Sequence, residues 1–164
     1  NHSVKHLKLD LPEIQSLDLS EIIKHKALEA FARVKKPVLV EDVSLKFSSL
    51  GNLPGPLIKW FLQEIGNDGL CNIIMSDENR SAVAEVQFGL ALNENEVITF
   101  SGSMEGTISK VPKGEQGFGW DPIFIPQGHV KTWGKMSDEE KDQTSMRKIA
   151  LTKLQTYLNN KIPA

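Results

Sequence analysis

Arg80-Ser81-Ala82-Val83-Ala84-Glu85-Val86-Gln87-Phe88-Gly89-Leu90-Ala91-Leu92 is the stretch on which the fold turns. Ala82, Ala84, Val86, Phe88, Leu90 and Leu92 recur with a period of two, as on a strand with one apolar face. Asn93-Glu94-Asn95-Glu96 follows as a turn, and Val97 to Ser103 returns as a second strand. The two predict a hairpin of long antiparallel strands. Upstream, Val38-Leu39-Val40 is an uninterrupted apolar run with the signal of a buried strand. Val4-Lys5-His6-Leu7-Lys8-Leu9 alternates and predicts a short opening strand.

Helical spacing fills the intervals. Asp18 with Glu21 three residues later marks a helix start, and Ile23, Ala27, Ala30, Phe31 and Val34 supply its stripe. That helix should stop near Lys35, ahead of Pro37. Pro56 suits a first helical turn, with Leu57, Ile58, Phe61, Leu62 and Ile65 behind it and a second short helix from Leu70 to Met75. Ser137-Asp138-Glu139-Glu140 is a capping box, and Met146, Ile149, Ala150, Lys153, Leu154, Tyr157 and Leu158 predict a final amphipathic helix. Ser145 offers a separate cap for that helix. The order predicts an α/β or α+β fold with a mixed sheet.

The 164 residues suit one domain, and no repeat, low-complexity tract or linker divides them. Hydrophobic residues at 40% and charged residues at 24% are an ordinary globular balance. A formal net charge of −2 gives no basic field to draw nucleic acid or a membrane surface. The single cysteine, Cys71, forbids an internal disulfide and reads as a small packed residue. No apolar run approaches the roughly 18 residues of a membrane span, and no secretory leader is visible, so the expected setting is the cytoplasm.

Gly117-Phe118-Gly119-Trp120-Asp121-Pro122-Ile123-Phe124 concentrates the chemistry. Glycines and a proline make a stiff loop. Its aromatic rings either plug a core or stand as a shelf at a cleft. Glu41-Asp42 ends the Val38-Leu39-Val40 run, and alternation sends the two carboxylates to opposite faces. Glu13, Lys26, Asp42, Lys59, Phe118, Trp120, Asp121, Lys141 and Arg147 fit poorly as core or plain surface. Carboxylates, lysines and an aromatic shelf suit a magnesium-bound phosphate ester that carries a stackable base. No Walker-type glycine loop, HExxH or CxxC pair occurs.

Val38-Leu39-Val40-Glu41-Asp42-Val43-Ser44-Leu45, Leu53-Pro54-Gly55-Pro56-Leu57-Ile58-Lys59-Trp60-Phe61, Gly117-Phe118-Gly119-Trp120-Asp121-Pro122, and Glu140-Lys141 with Ser145-Met146-Arg147 occur in this order. Together they resemble the inosine/xanthosine triphosphate pyrophosphatase family (Ham1-like), from about Leu9 to Leu158. The resemblance implies an α/β fold with a central mixed sheet, two lobes flanking a nucleotide cleft, and a homodimer or higher self-association. The implied reaction is Mg²⁺-dependent hydrolysis of non-standard purine nucleoside triphosphates (ITP, dITP, XTP) to monophosphate and pyrophosphate, which cleanses the nucleotide pool. Glu13 and Asp42 would hold the metal, or Asp42 would orient or deprotonate the attacking water. Lys26 and Lys59 would face the phosphates. Phe118 would stack on the base, with Trp120 and Asp121 shaping its pocket. Lys141, Ser145 and Arg147 would complete substrate binding, where donors suit a 6-keto oxygen and oppose the amino group of adenine.

Three departures from the family pattern set further expectations. The sequence starts after the family's Thr-x-Asn-x-x-Lys phosphate motif, which predicts a fragment, a short natural form, or a gap filled by a partner chain. An exposed sheet edge would then favour self-association. Met146 stands where the family has His, which cannot be replaced as a donor by a thioether and should weaken base discrimination. Lys135 replaces an acidic residue. The alternative to an active enzyme is a weak or inactive nucleotide-binding homologue that serves as an oligomeric partner.

Overall fold

The structure is a computed structural model that describes residues 4–76 and 78–161. Five strands form one sheet in the order β2-β1-β3-β4-β5, with β1 at Val38–Phe47, β2 at Pro54–Gly55, β3 at Ser81–Ala91, β4 at Val97–Ile108 and β5 at Phe124–Pro126. The predicted hairpin is β3 and β4. The connection between them, residues 92–96, is too short for a parallel crossover, so the pair runs antiparallel. The outer pairs are antiparallel as well, Leu45 opposite Gly55 in one and Thr107 opposite Ile125 in the other. The chain forms two compact units. One holds the chain up to Asp42, Val86–Gly102 and the chain from Arg147; the other holds Val43–Glu85 and Ser103–Met146.

In the first unit, α1 covers Leu19–Val34. The Asp18 carboxylate accepts the Ser20 N–H at 2.8 Å and opens the helix. Lys35, left-handed at φ 55°, closes it by donating its N–H to the Phe31 carbonyl. The buried stripe is Leu19, Ile22, Ile23, Ala27 and Ala30. It comes so close to β3 that a Cβ on Gly89 would lie 3.2 Å from the Ile23 carbonyl oxygen. Gln87 donates to the Ser20 hydroxyl at 3.1 Å on the same side. Alternation therefore stops at Val86, and every residue from there to Ala91 is buried. The last helix, α4, is Met146–Lys161. Its Tyr157 ring meets Phe100 of β4 with centroids 5.5 Å apart.

Residues Val4 to Leu9 form no strand and are exposed. Alternation alone makes no ladder; a strand needs a neighbour to take its N–H and C=O groups, and none pairs here among the described residues. β1 is longer than the apolar run, and Glu41 and Asp42 lie inside it rather than at its end. Val38, Leu39 and Val40 are only half-buried.

In the second unit, α2 spans Ile58–Ile73, after Pro56 rather than through it. Gly66 interrupts it at φ 63°, ψ −173°, so two helical pieces meet there. α3, Asp138–Thr144, carries the predicted capping box: Ser137 accepts from the Glu140 N–H while Glu140 accepts from the Ser137 N–H. Ser145 separates α3 from α4. Arg80 knits this unit together. Its guanidinium donates to the carbonyls of Ile74 and Cys71 at the end of α2, and to those of Ile108 and Ser109 at the end of β4. All four acceptor residues are buried.

Removing that fork strands four buried carbonyls, so Arg80→Met is expected to cost about 2–4 kcal/mol in urea unfolding. Burial pushes the Cys71 thiol up to about 11, against the opposing charge of Arg80. An unfolded thiol ionises near pH ~8.5. Between there and 11 the unfolded chain releases a proton that the folded chain keeps, so stability falls as pH rises. Cys71→Ala should flatten that part of the stability-versus-pH curve, and a slope unchanged by the substitution would contradict the assignment.

Candidate functional site

The first unit gathers charge around one ammonium. Lys26 lies one position before Ala27 on the sheet-facing side of α1. Its Nζ donates to Glu13 Oε1 at 3.0 Å, the Glu41 carbonyl at 3.1 Å and Asp42 Oδ2 at 3.3 Å. Burial works against the charged form, but Asp42 and Glu13 outweigh it and raise the Lys26 pKa above the ordinary lysine value. Glu13 sits in irregular chain ahead of α1, so three remote segments converge here. The neighbouring Glu41 carboxylate takes a different cation. Arg147, at the start of α4, donates through Nε and Nη2 to Glu41 Oε1. The adjacent acids thus serve separate partners, as strand alternation requires. Sequence reasoning did not pair Arg147 with Glu41; the adjoining acidic residues were the only signal.

The donor set fits a hard divalent cation. Glu13 Oε1, Asp42 Oδ2 and the Glu41 carbonyl oxygen already surround one positive centre. Among the described residues no group of three or more His, Cys, Asp or Glu side chains forms a metal cage. Two carboxylates, completed by water and substrate oxygens, are a common magnesium arrangement.

The second unit holds the loop from Gly117 to Phe124. Phe118 is 63% exposed, while Trp120 is 2% exposed. The two rings therefore divide the alternatives left by the sequence. Phe118 stands out from the loop into solvent. Trp120 packs against Trp133 and Phe124, at centroid distances of 5.7 and 5.9 Å. Trp120 thus fills the interior behind the loop. Its indole N–H is buried without a partner.

Asp121 fixes the loop. Its Oδ2 accepts the Phe118 N–H and the Lys141 ammonium, and its backbone N–H returns to the Phe118 carbonyl at 2.9 Å. Gly117, at φ 90°, leaves room that any Cβ would take from the Asp121 carboxylate. Lys141 also lies 5.7 Å from the Trp133 ring centre. From α2, Asn67 donates to the Gly119 carbonyl at 3.0 Å, just past the Gly66 break. Nothing in the apolar pattern of α2 signalled Asn67. Lys59 is exposed near its neighbour Trp60, 5.5 Å from that ring centre. Ser145 closes α3. Met146 is buried. Lys135 ends a 3-10 turn, Trp133–Lys135, with its side chain exposed.

The sequence profile of the Ham1 family matches residues 1–157, and the chain belongs to that family. Inosine triphosphate pyrophosphatase 2 of Trypanosoma cruzi is 45% identical over 94% of this chain and 79% of the relative. The inosine triphosphate pyrophosphatase of Schizosaccharomyces pombe is 39% identical over 96% of this chain and 83% of the relative. Among solved structures, the Ham1 protein of Staphylococcus aureus superposes with a TM-score of 0.85 at 28% identity, covering 93% of this chain and 82% of that one. A HAM1 protein from Coxiella burnetii gives 0.83 at 28% identity, over 92% and 82% of the two chains.

Asp121→Ala removes the acceptor for both Phe118 and Lys141. It is expected to cost about 2–4 kcal/mol in chemical denaturation, as loss of one partner of a nearly buried pair does. Chymotryptic cleavage at Phe118 should quicken in parallel, and resistance equal to that of the unmodified chain would contradict this account of the loop.

Proposed function

We propose that this chain hydrolyses non-standard purine nucleoside triphosphates, ITP foremost with dITP and XTP beside it, to the monophosphate and pyrophosphate in the presence of Mg²⁺. One observation carries the reading. Two remote carboxylates converge on Lys26 in a chain 39–45% identical to inosine triphosphate pyrophosphatases. In this reading water adds to the α-phosphorus, the bond to the α–β bridging oxygen breaks, and pyrophosphate leaves. Glu13 and Asp42 hold the metal. A bound Mg²⁺ supplies positive charge against the phosphate oxygens. Asp42 orients the water or takes its proton. Lys26 and Lys59 compensate phosphate charge.

Phe118, exposed at 63%, stacks on the base. Lys141 has three donor hydrogens, and one bond to Asp121 leaves capacity for a 6-keto oxygen. Arg147, now paired with Glu41, and Ser145 are the further substrate-binding residues of this reading. Met146 supplies no donor, so we expect ITP to be preferred over ATP by less than roughly a hundredfold. A cytoplasmic setting and a homodimer belong to the same proposal. β2 pairs only with Leu45 and Lys46. Along Val38 to Glu41 that side of β1 carries no strand among the described residues, which supports self-association and is checked by sedimentation velocity.

The assay is pyrophosphate release from ITP, dITP, XTP and ATP with Mg²⁺. Asp42→Asn should lower kcat by at least roughly a hundredfold. Phe118→Ala should raise KM for ITP roughly tenfold, the scale of one lost base stack. If no triphosphate is cleaved faster than by Asp42→Asn, the enzyme reading falls and a nucleotide-binding partner role takes its place.

A further inference from the structure

Lys26 occupies the position that a metal ion would claim. Its ammonium sits within 3.0–3.3 Å of a Glu13 oxygen, an Asp42 oxygen and the Glu41 carbonyl. The Lys26 and Asp42 side chains are only 19% and 21% exposed, so water screens the pair poorly. We propose that Lys26 is an internal counter-ion that holds Glu13 and Asp42 together in the metal-free protein and must leave them before a divalent cation binds. This rests on the assignment of Glu13 and Asp42 as the metal-holding pair.

The argument is one of competition. Magnesium needs oxygen ligands at about 2.0–2.1 Å, which would set it within a few ångströms of an ammonium that stays at these same oxygens. The two cations would also repel across a few ångströms. Lys26 therefore needs another anion before it can release the pair. A triphosphate brings that anion, and the four-carbon lysine stem lets the ammonium swing toward it. Metal and triphosphate then each make room for the other, and the coupling is reciprocal by linkage. Metal alone should bind weakly, because Lys26 stays paired with the two carboxylates while no substrate is present.

The test is Mn²⁺ binding without nucleotide, read by the electron paramagnetic resonance of free Mn²⁺. Lys26→Met removes the charge and keeps the stem. It should tighten Mn²⁺ about tenfold or more, within the usual range of coupling between sites. Lys26→Gln is measured beside it, so that poor folding of one variant does not decide the result. Asp42→Asn added to Lys26→Met should abolish the gain. If Mn²⁺ affinity is unchanged or weaker in both Lys26 variants, while Asp42→Asn alone still weakens it, the counter-ion role is wrong and the metal assignment stands. If no chain shows Mn²⁺ binding that responds to Asp42→Asn, both are wrong.

Discussion

The pairing of β3 with β4 is the constraint to which the other elements answer. The pair is central in the strand order, with β1 beside β3 and β5 beside β4. In the first unit α1 lies so near β3 that a Cβ at Gly89 would crowd the Ile23 carbonyl. α4 reaches β4 through the Phe100 and Tyr157 rings. In the second unit the far end of β4 delivers the Ile108 and Ser109 carbonyls to Arg80. The charged side chains of interest hang on these elements: Lys26 on α1, Glu41 and Asp42 on β1, Arg147 on α4 and Lys141 on α3. The elements bring these side chains within reach of one another, and the part-buried ion pairs then fix their ends.

Much of the frame was legible because it rests on local rules. A period of two gave the hairpin, the capping box gave the start of α3, and the polar cap at Asp18 gave the start of α1. The failures share a cause. Val4 to Leu9 has the alternation of a strand but no neighbour. β2 and β5 are too short to carry a period, and exist because Leu45, Lys46, Gly106, Thr107 and Ile108 offer them partners. Burial from Val86 onward reflects α1 lying on a face that the sequence pattern leaves undecided.

The candidate site divides in the same way. Residue types and the family resemblance brought Glu13, Lys26 and Asp42 forward, and the structure brings these three together. The different fates of Phe118 and Trp120 were hidden, because they depend on Trp133, thirteen positions after Trp120 in sequence and packed against it in space. The roles of Asp121 and Asn67 were hidden for a related reason. Each acts by holding a backbone group of the loop, and a backbone group leaves no trace in residue identity. The burial of Met146 was also hidden, since its place at the start of α4 does not by itself say which face it takes.

The two best-connected arginines have unlike partners, and they answer differently to the solvent. Arg147 is held by a carboxylate at a half-open position, whereas Arg80 is held by neutral carbonyls in the interior. Dissolved ions screen the first kind of attraction and scarcely touch the second. A rise in ionic strength therefore loosens the arginine at the start of α4 while the join between α2 and β4 stays as it was. The protein carries a salt-responsive contact beside a salt-indifferent frame, with one side-chain type serving both.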